Sequence, residues 1–304
     1  MRQFTSMLVY WGTSPADVPL KFAARIGASS GVHVTLGDTV QNVPESALRE
    51  LPADWDVPAL VRARKQAALS KAAARMRRSG VAPSTILLEG DSVSAVIECI
   101  ERDRHNLLVT NAPFSDMGDA DRETALRLVR DSPVPVLCAH ELRRRKRMRI
   151  LAAVDAVAWP ARDDGNLNSR IVRIALWFAQ HFDGEVHVLH AWQPVGEGPM
   201  RWAGVSPEGL ANYHVSGRDD VMDDLTKTVR QHRARIDVDH VHVEIGDPRS
   251  VIPQYAADKG IDLIVIGNFA RSGISARILG NSANAIVDTS PCSTLIVPRG
   301  PESS

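Results

Sequence analysis

Asp262-Leu263-Ile264-Val265-Ile266-Gly267-Asn268-Phe269-Ala270-Arg271-Ser272-Gly273, continued by Leu279-Gly280-Asn281-Ser282, decides how this chain folds. Residues 262–266 form a near-continuous apolar run, the pattern of a strand buried on both faces of a parallel sheet. Glycine closes the run, a loop follows, and Ala283 to Thr289 reads as a short helical segment. Pro291 and a second apolar run, Thr294 to Val297, complete the pattern. A strand, a glycine-bearing loop and a helix start, in that order, make a geometry that cradles phosphates. Glycine admits close approach of the backbone, and the free N–H groups of the first helical turn point at the anion.

Outward from this stretch, the chain repeats itself. Leu88-Glu89-Gly90-Asp91-Ser92 through Leu107-Leu108-Val109-Thr110-Asn111 lies without gaps on Glu244-Ile245-Gly246-Asp247-Pro248 through Leu263-Ile264-Val265-Ile266-Gly267. Asp131-Ser132-Pro133 falls near Thr289-Ser290-Pro291, and Met7-Leu8-Val9-Tyr10 matches Ile150-Leu151-Ala152-Ala153-Val154 as a starting strand. An internal duplication of this kind sets the whole fold. Within each copy apolar runs alternate with helical stretches, the signature of a doubly wound α/β unit. The reading is two tandem five-stranded parallel sheets, with strands near 6–11, 31–37, 84–89, 107–111 and 135–139, then 149–155, 185–191, 239–245, 262–267 and 294–298. Domains are expected over 1–142 and 148–300. The basic run Leu142 to Arg149 between them reads as a solvated linker, since no aromatic stacking residues accompany it. The Pro- and Gly-rich stretch 193–209 reads as a long loop.

The 304 residues suit two domains, each large enough to bury its own core. Hydrophobic content of 44% and charged content of 24% are those of a soluble globular protein. A formal net charge of zero gives no global field toward nucleic acid or anionic membrane, so neither is expected as a partner. No apolar run approaches a membrane span and Met1-Arg2-Gln3-Phe4 opens no signal peptide, which makes the cytoplasm the expected compartment. Cys99, Cys138 and Cys292 read as small buried hydrophobes, without CxxC spacing for metal or redox chemistry.

Open α/β sheets bind ligands beyond the carboxyl ends of their strands, at the switch in strand order. In the second copy Val154 and Asp155 end the first strand, His190 and Ala191 the second, and Ile266 and Gly267 the fourth, while Gly280-Asn281-Ser282 opens the last helix. These separate segments converge on one edge. Asp155 reads either as a ligand contact or as an Asx-type turn cap. In the first copy Ala112-Pro113-Phe114-Ser115-Asp116-Met117-Gly118-Asp119 replaces the glycine loop, and its carboxylates would repel phosphate. Trp11 or Tyr10 is expected in the place of the strand-end aspartate. Gly90-Asp91 and Gly246-Asp247 read as turns feeding a helix, with the aspartate as N-cap. His240 and His242 share a strand face but have no third ligand nearby, so no metal site is assigned. No Gly-x-Ser-x-Gly elbow, Walker A loop or HExxH is present, and an enzyme reading has no positive support.

At Gly267 to Ser282 the sequence resembles the universal stress protein family, whose nucleotide-binding members carry Gly-x-x-Gly, nine residues, then Gly-Ser or Gly-Thr. Gly267 and Gly280 stand in place with nine residues, Arg271 to Leu279, before Gly280; Ala270 and Asn281 depart from the pattern. Alanine at 270 is strained if the backbone there needs positive φ, whereas Asn281 remains a good N-cap. Gly273-Ile274-Ser275, Leu279-Gly280-Asn281-Ser282-Ala283 and Val287-Asp288 are similar to the tandem, E-type branch of the family. That resemblance implies an adenine-nucleotide alpha-hydrolase-like fold, the two copies packed as an internal pseudo-dimer, and a stress-response protein without an established reaction. It implies ATP or AMP in the second copy, with Asp155 beside the base or ribose, Gly267 and Gly280 close to the phosphates, and Asn281 and Ser282 donating to them. Mg²⁺ is expected only with nucleotide. An interaction scaffold that binds no nucleotide, or another small molecule in the first copy, is the competing reading, and slow ATP hydrolysis ranks last. Protein partners are unassigned, and a homodimer of the two-copy chain is left open.

Overall fold

A computed structural model describes residues 3–12, 17–41, 56–113, 118–141, 147–156, 167–230, 236–268 and 281–298. The chain separates into two compact units, Met1–Leu142 with Ser293–Pro298, and Arg143–Cys292 with Arg299–Ser304. The first unit runs β1 (Ser6–Tyr10), α1 (Val18–Ser30), β2 (His33–Val40), α2 (Val57–Arg78), β3 (Ser84–Glu89), α3 (Ser92–Arg102), β4 (Leu107–Asn111), α4 (Asp119–Asp131) and β5 (Val136–Ala139). The second runs β6 (Arg149–Ala153), α5 (Leu167–His181), β7 (Glu185–Trp192), α6 (Glu197–Trp202), α7 (Pro207–Val229), a 3-10 turn (Val238–His240), β8 (Val241–Ile245), α8 (Pro248–Lys259), β9 (Leu263–Gly267) and α9 (Asn281–Thr289). The last strand, β10 (Ser293–Val297), belongs to the first unit.

Strand order is β3-β2-β1-β4-β5-β10 in the first unit and β9-β6-β7-β8 in the second. All pairings among β1–β5 and among β6–β9 are parallel; β10 lies antiparallel on β5, with Leu295 opposite Leu137. Sequence reading assigns residues 294–298 to the second copy; in the structure they form β10, which pairs with β5. Central strands explain the continuous apolar runs: every residue of β4 and β9 is buried. Edge strand β3 is exposed at three of its six positions, as one-sided burial requires. Helix α3 buries Val93, Val96, Cys99 and Ile100, a stripe at helical spacing.

The duplicated residues do the same work in both units. Gly90 and Gly246 adopt φ of 107° and 142°, where side chains are strained, and their N–H groups bond Val40 O at 3.1 Å and Trp192 O at 2.9 Å. Asp91 then caps α3 through Ser94 N at 3.0 Å, and Asp247 caps α8 through Arg249 N at 2.9 Å. At the opposite edge, Asn106 accepts from Thr5 N and Ser6 N at 3.0 and 3.1 Å, while Asp262 accepts from Arg149 N at 2.9 Å. Each side chain fixes the start of its unit's first strand. Within 193–209, read as loop, the structure forms α6 and the start of α7, capped by Ser206 on Gly209 N at 3.1 Å.

Candidate functional site

In the second unit the chain builds β6, β7 and β8 outward in one direction and then returns to place β9 on the other side of β6. The switch in direction lies between β6 and β9. In doubly wound sheets, ligands bind beyond the strand ends at such a switch, where the flanking helices leave to opposite faces. Ala153 pairs with both Ile266 and Leu189, so Gly267 stands level with Val154, and Ala191 level with Asp155. The structure thus brings together Val154, Asp155, Ala191, Ile266 and Gly267.

Each has a distinct setting. Val154 is 6% exposed, and its N–H donates to Leu189 O at 3.0 Å. Ile266 and Gly267 are buried at the end of β9, and Ala191 is half-buried. Asp155 keeps its side chain 29% exposed. Its main chain is clamped by Asn168 on α5, whose Oδ1 accepts from Asp155 N at 3.0 Å and whose Nδ2 donates to Asp155 O at 2.8 Å. His190, 5% exposed, supports the same turn from β7. Its Nδ1 lies 3.1 Å from Val154 O, 3.2 Å from Ala156 N and 4.0 Å from Asp155 Oδ1, donating or accepting according to tautomer. Helix α9 follows β9 and buries Ile286. Asn281 and Ser282 open α9, while Gly280 and Ala270 lie outside the described residues.

Neither Asn168 nor the supporting role of His190 was read from sequence. Asn168 sits in the first turn of an apolar helix, where an asparagine reads as a cap; its partner thirteen residues earlier is fixed only by the fold.

Counting along the paired strands corrects one expectation for the first unit. Met7 pairs with Leu107 as Ile150 pairs with Leu263, so Asp155 is matched by Gly12, not by Trp11 or Tyr10. Gly12 has φ of 61° and carries no functional group. Around it side chains at the edge bond to one another and to the main chain. Tyr10 OH lies 3.2 Å from Thr39 Oγ1, Thr39 Oγ1 lies 2.7 Å from Ser92 Oγ, and Asn111 Nδ2 donates to Trp11 O at 3.2 Å. Where the second unit has His190, the first has Asp38, 3% exposed and ion-paired to Lys65 at 2.8 Å. Burial raises the Asp38 carboxyl above its ordinary range, against the opposing pull of Lys65.

The histidines gather at the other, amino-terminal edge. His240 falls in the 3-10 turn instead of on the strand with His242, and its ring stacks on His187 at 4.2 Å. His187 Nδ1 is 3.2 Å from Tyr255 OH, and Nε2 is 3.7 Å from Glu185. Burial and the neighbouring His240 push His187 down to about 4, so at neutral pH the Glu185 contact joins a carboxylate to a neutral ring.

The fold defines a class: a doubly wound α/β protein whose second unit has its switch point between β6 and β9. A model of the Universal stress protein family matches residues 146–298, just over half of the chain, and the chain belongs to that family. It is 28% identical over 221 residues to the universal stress protein E homolog of Haemophilus influenzae, covering 70% of this chain and 68% of that protein. It is 28% identical over 209 residues to universal stress protein E of Escherichia coli K12, covering 67% of this chain and 64% of that relative. In fold it matches crystal structures described as universal stress proteins. That from Pseudomonas aeruginosa UCBPP-PA14 has a TM-score of 0.70 and 22% identity over 97% of this chain and 94% of that one. That from Archaeoglobus fulgidus has 0.67 and 18% over 98% and 97%. Among the described residues no helix is long and apolar enough to cross a membrane.

Proposed function

We propose that this chain is a non-enzymatic stress-response protein that binds an adenine nucleotide, ATP or AMP, at the carboxyl edge of its second unit. The observation that carries this reading is the pairing of β6 with β9. It sets the partly exposed Asp155 carboxylate one residue beyond the level of Gly267, at the switch point where α/β sheets take ligands. Asp155 accepts from a ribose hydroxyl or the base, and Gly267 begins the loop that approaches the phosphates. Helix α9 offers its first N–H groups to the anion. Mg²⁺ accompanies the nucleotide. The first unit, with Gly12 in place of Asp155 and with Tyr10, Thr39, Ser92 and Asn111 already bonded at its edge, takes no nucleotide this way.

Calorimetric titration of the full chain with ATP and AMP tests the reading, alongside Asp155→Ala. Heat of binding that is lost or weakened about tenfold or more in the variant supports it, a charged hydrogen bond being worth roughly 1.5–3 kcal/mol. No heat at millimolar nucleotide overturns it, and equal binding by the variant overturns the role of Asp155. The competing reading, an interaction scaffold, is favoured by Val195 and Trp202, 82% and 94% exposed around α6.

A further inference from the structure

The amino-terminal edge of the first unit carries a side-chain group that the proposed nucleotide site does not use. Cys99 lies in the last turn of α3, Asp103 follows that helix directly, and His105 stands in the short connection to β4. The thiol sulfur, one carboxylate oxygen and one imidazole nitrogen all fall within 4.8 Å of one another. Local geometry gathers them. Cys99 and Asp103 are four residues apart, neighbours on one helix face, and Asp103 N–H bonds Cys99 O at 3.0 Å. Arg104 then takes a left-handed φ of 53°, and the chain folds back so that His105 N–H bonds Ile100 O at 2.9 Å.

The trio has the marks of a donor set. Cys99 and His105 are 0% and 4% exposed, while the Asp103 side chain, 38% exposed, reaches the surface. Cys99 Sγ and Asp103 Oδ2 are 3.5 Å apart. His105 Nδ1 lies 2.7 Å from Ser6 Oγ, and the buried Nε2 has no hydrogen-bond partner among the described residues. An imidazole held at one nitrogen by an outer hydroxyl and open at the other is oriented as metal-binding histidines are. A cation is already drawn to the place: Arg102 bonds both Asp103 oxygens at 2.9 and 2.8 Å, and its Nη2 lies 3.8 Å from Cys99 Sγ. Its side chain is 59% exposed and free to swing into solvent.

We propose that Cys99, Asp103 and His105 bind one thiophilic divalent cation of the zinc class, with water as the fourth ligand. Sulfur and nitrogen donors select zinc-like ions over magnesium or calcium, which take oxygen. Tetrahedral bonds of about 2.0–2.3 Å place donor atoms about 3.3–3.8 Å apart. The sulfur–carboxylate pair already meets that spacing, and the imidazole closes the remainder. As the sulfur–metal bond forms, the thiol proton leaves to water, and Arg102 gives up Asp103. In the duplicated alignment the corresponding positions are Tyr255, Lys259 and Ile261, so the site belongs to the first unit alone.

The test uses the full chain, reduced and stripped with chelator, titrated with Co²⁺ as a spectroscopic probe. One equivalent is expected to raise a thiolate-to-cobalt charge-transfer band with the visible spectrum of a four-coordinate site, bleached by Zn²⁺. Cys99→Ser is expected to abolish the band, and Asp103→Asn to weaken Co²⁺ binding about tenfold. Arg102→Ala, which removes a competing cation, is expected to tighten it severalfold. No thiolate band at tenfold excess of Co²⁺ overturns the proposal, as does a band that survives Cys99→Ser. Should Cys99→Ser fail to fold, Asp103→Asn at the exposed position decides: unchanged cobalt affinity overturns the site.

Discussion

Asn168 grips the main chain of Asp155, accepting from its N–H at 3.0 Å and donating to its carbonyl at 2.8 Å. The amide is 1% exposed, so neither bond is replaced by water when the side chain is removed. Asn168→Ala is expected to lower stability by about 2–3 kcal/mol, an unmet buried polar group costing about 1–3 kcal/mol. Urea unfolding checks this. Asn168→Asp keeps the acceptor but buries an unpaired carboxylate against the Asp155 carbonyl, and at neutral pH should cost at least as much as alanine.

Lys65 and Asp38 form a pair that is costly to break from one side. Their side chains are 20% and 4% exposed. Lys65→Met leaves a buried carboxylate without its cation, at a cost of about 3 kcal/mol. A folded-state pKa raised by burial means that stability is present at acid pH and lost as pH rises past the ordinary aspartate range. The deficit of Lys65→Met should therefore be small near pH 4 and full at pH 7. Asp38→Asn added to it should recover part of the loss.

His187 gives the opposite slope in the second unit. Its folded pKa, near 4, lies below the ordinary 6.5, so the unfolded chain binds the proton more readily. Stability from this group is full above pH 6.5 and falls as pH drops toward 4, by on the order of 2–3 kcal/mol. Urea midpoints measured between pH 4 and 7.5 should show this slope in the wild type and a flatter one in His187→Gln.

Gly217, on α7, faces the Trp192 ring. A methyl group there would stand 2.6 Å from Cη2 and 2.8 Å from Cζ2. Alanine gains about 1 kcal/mol of helix propensity. Against that, overpacking a rigid ring that is 7% exposed costs about 1–3 kcal/mol. The clash is expected to win, so Gly217→Ala should lower the melting temperature and change the near-ultraviolet dichroism of Trp192.

Much of this molecule is written locally. The buried strands follow from runs such as Leu263 to Ile266, and Gly90-Asp91 and Gly246-Asp247 announce a turn and a cap because both devices act within a few residues. What escaped was non-local. An apolar run shows that Thr294 to Val297 is a strand but not which edge receives it. Alternation placed His240 on a strand with His242, yet a 3-10 turn intervenes and carries its ring onto His187. The counterpart of Asp155 is Gly12 because register is counted through partner strands, which no single segment displays. Of the candidate residues, Val154, Asp155, Ala191, Ile266 and Gly267 lie at one strand edge, while Asn168 behind them became visible only in three dimensions.

The placement of β10 has a consequence for synthesis. Ser293 Oγ accepts from His140 N, 153 residues earlier in the chain, so the strand that covers β5 is made only after the second unit. On the ribosome, the first unit must wait with an unpaired edge while the whole second unit is translated. An edge of that kind invites pairing with neighbouring nascent chains. Folding of the first unit is therefore complete only once β10 has been made, and loss of Ser293–Val297 would be felt at β5.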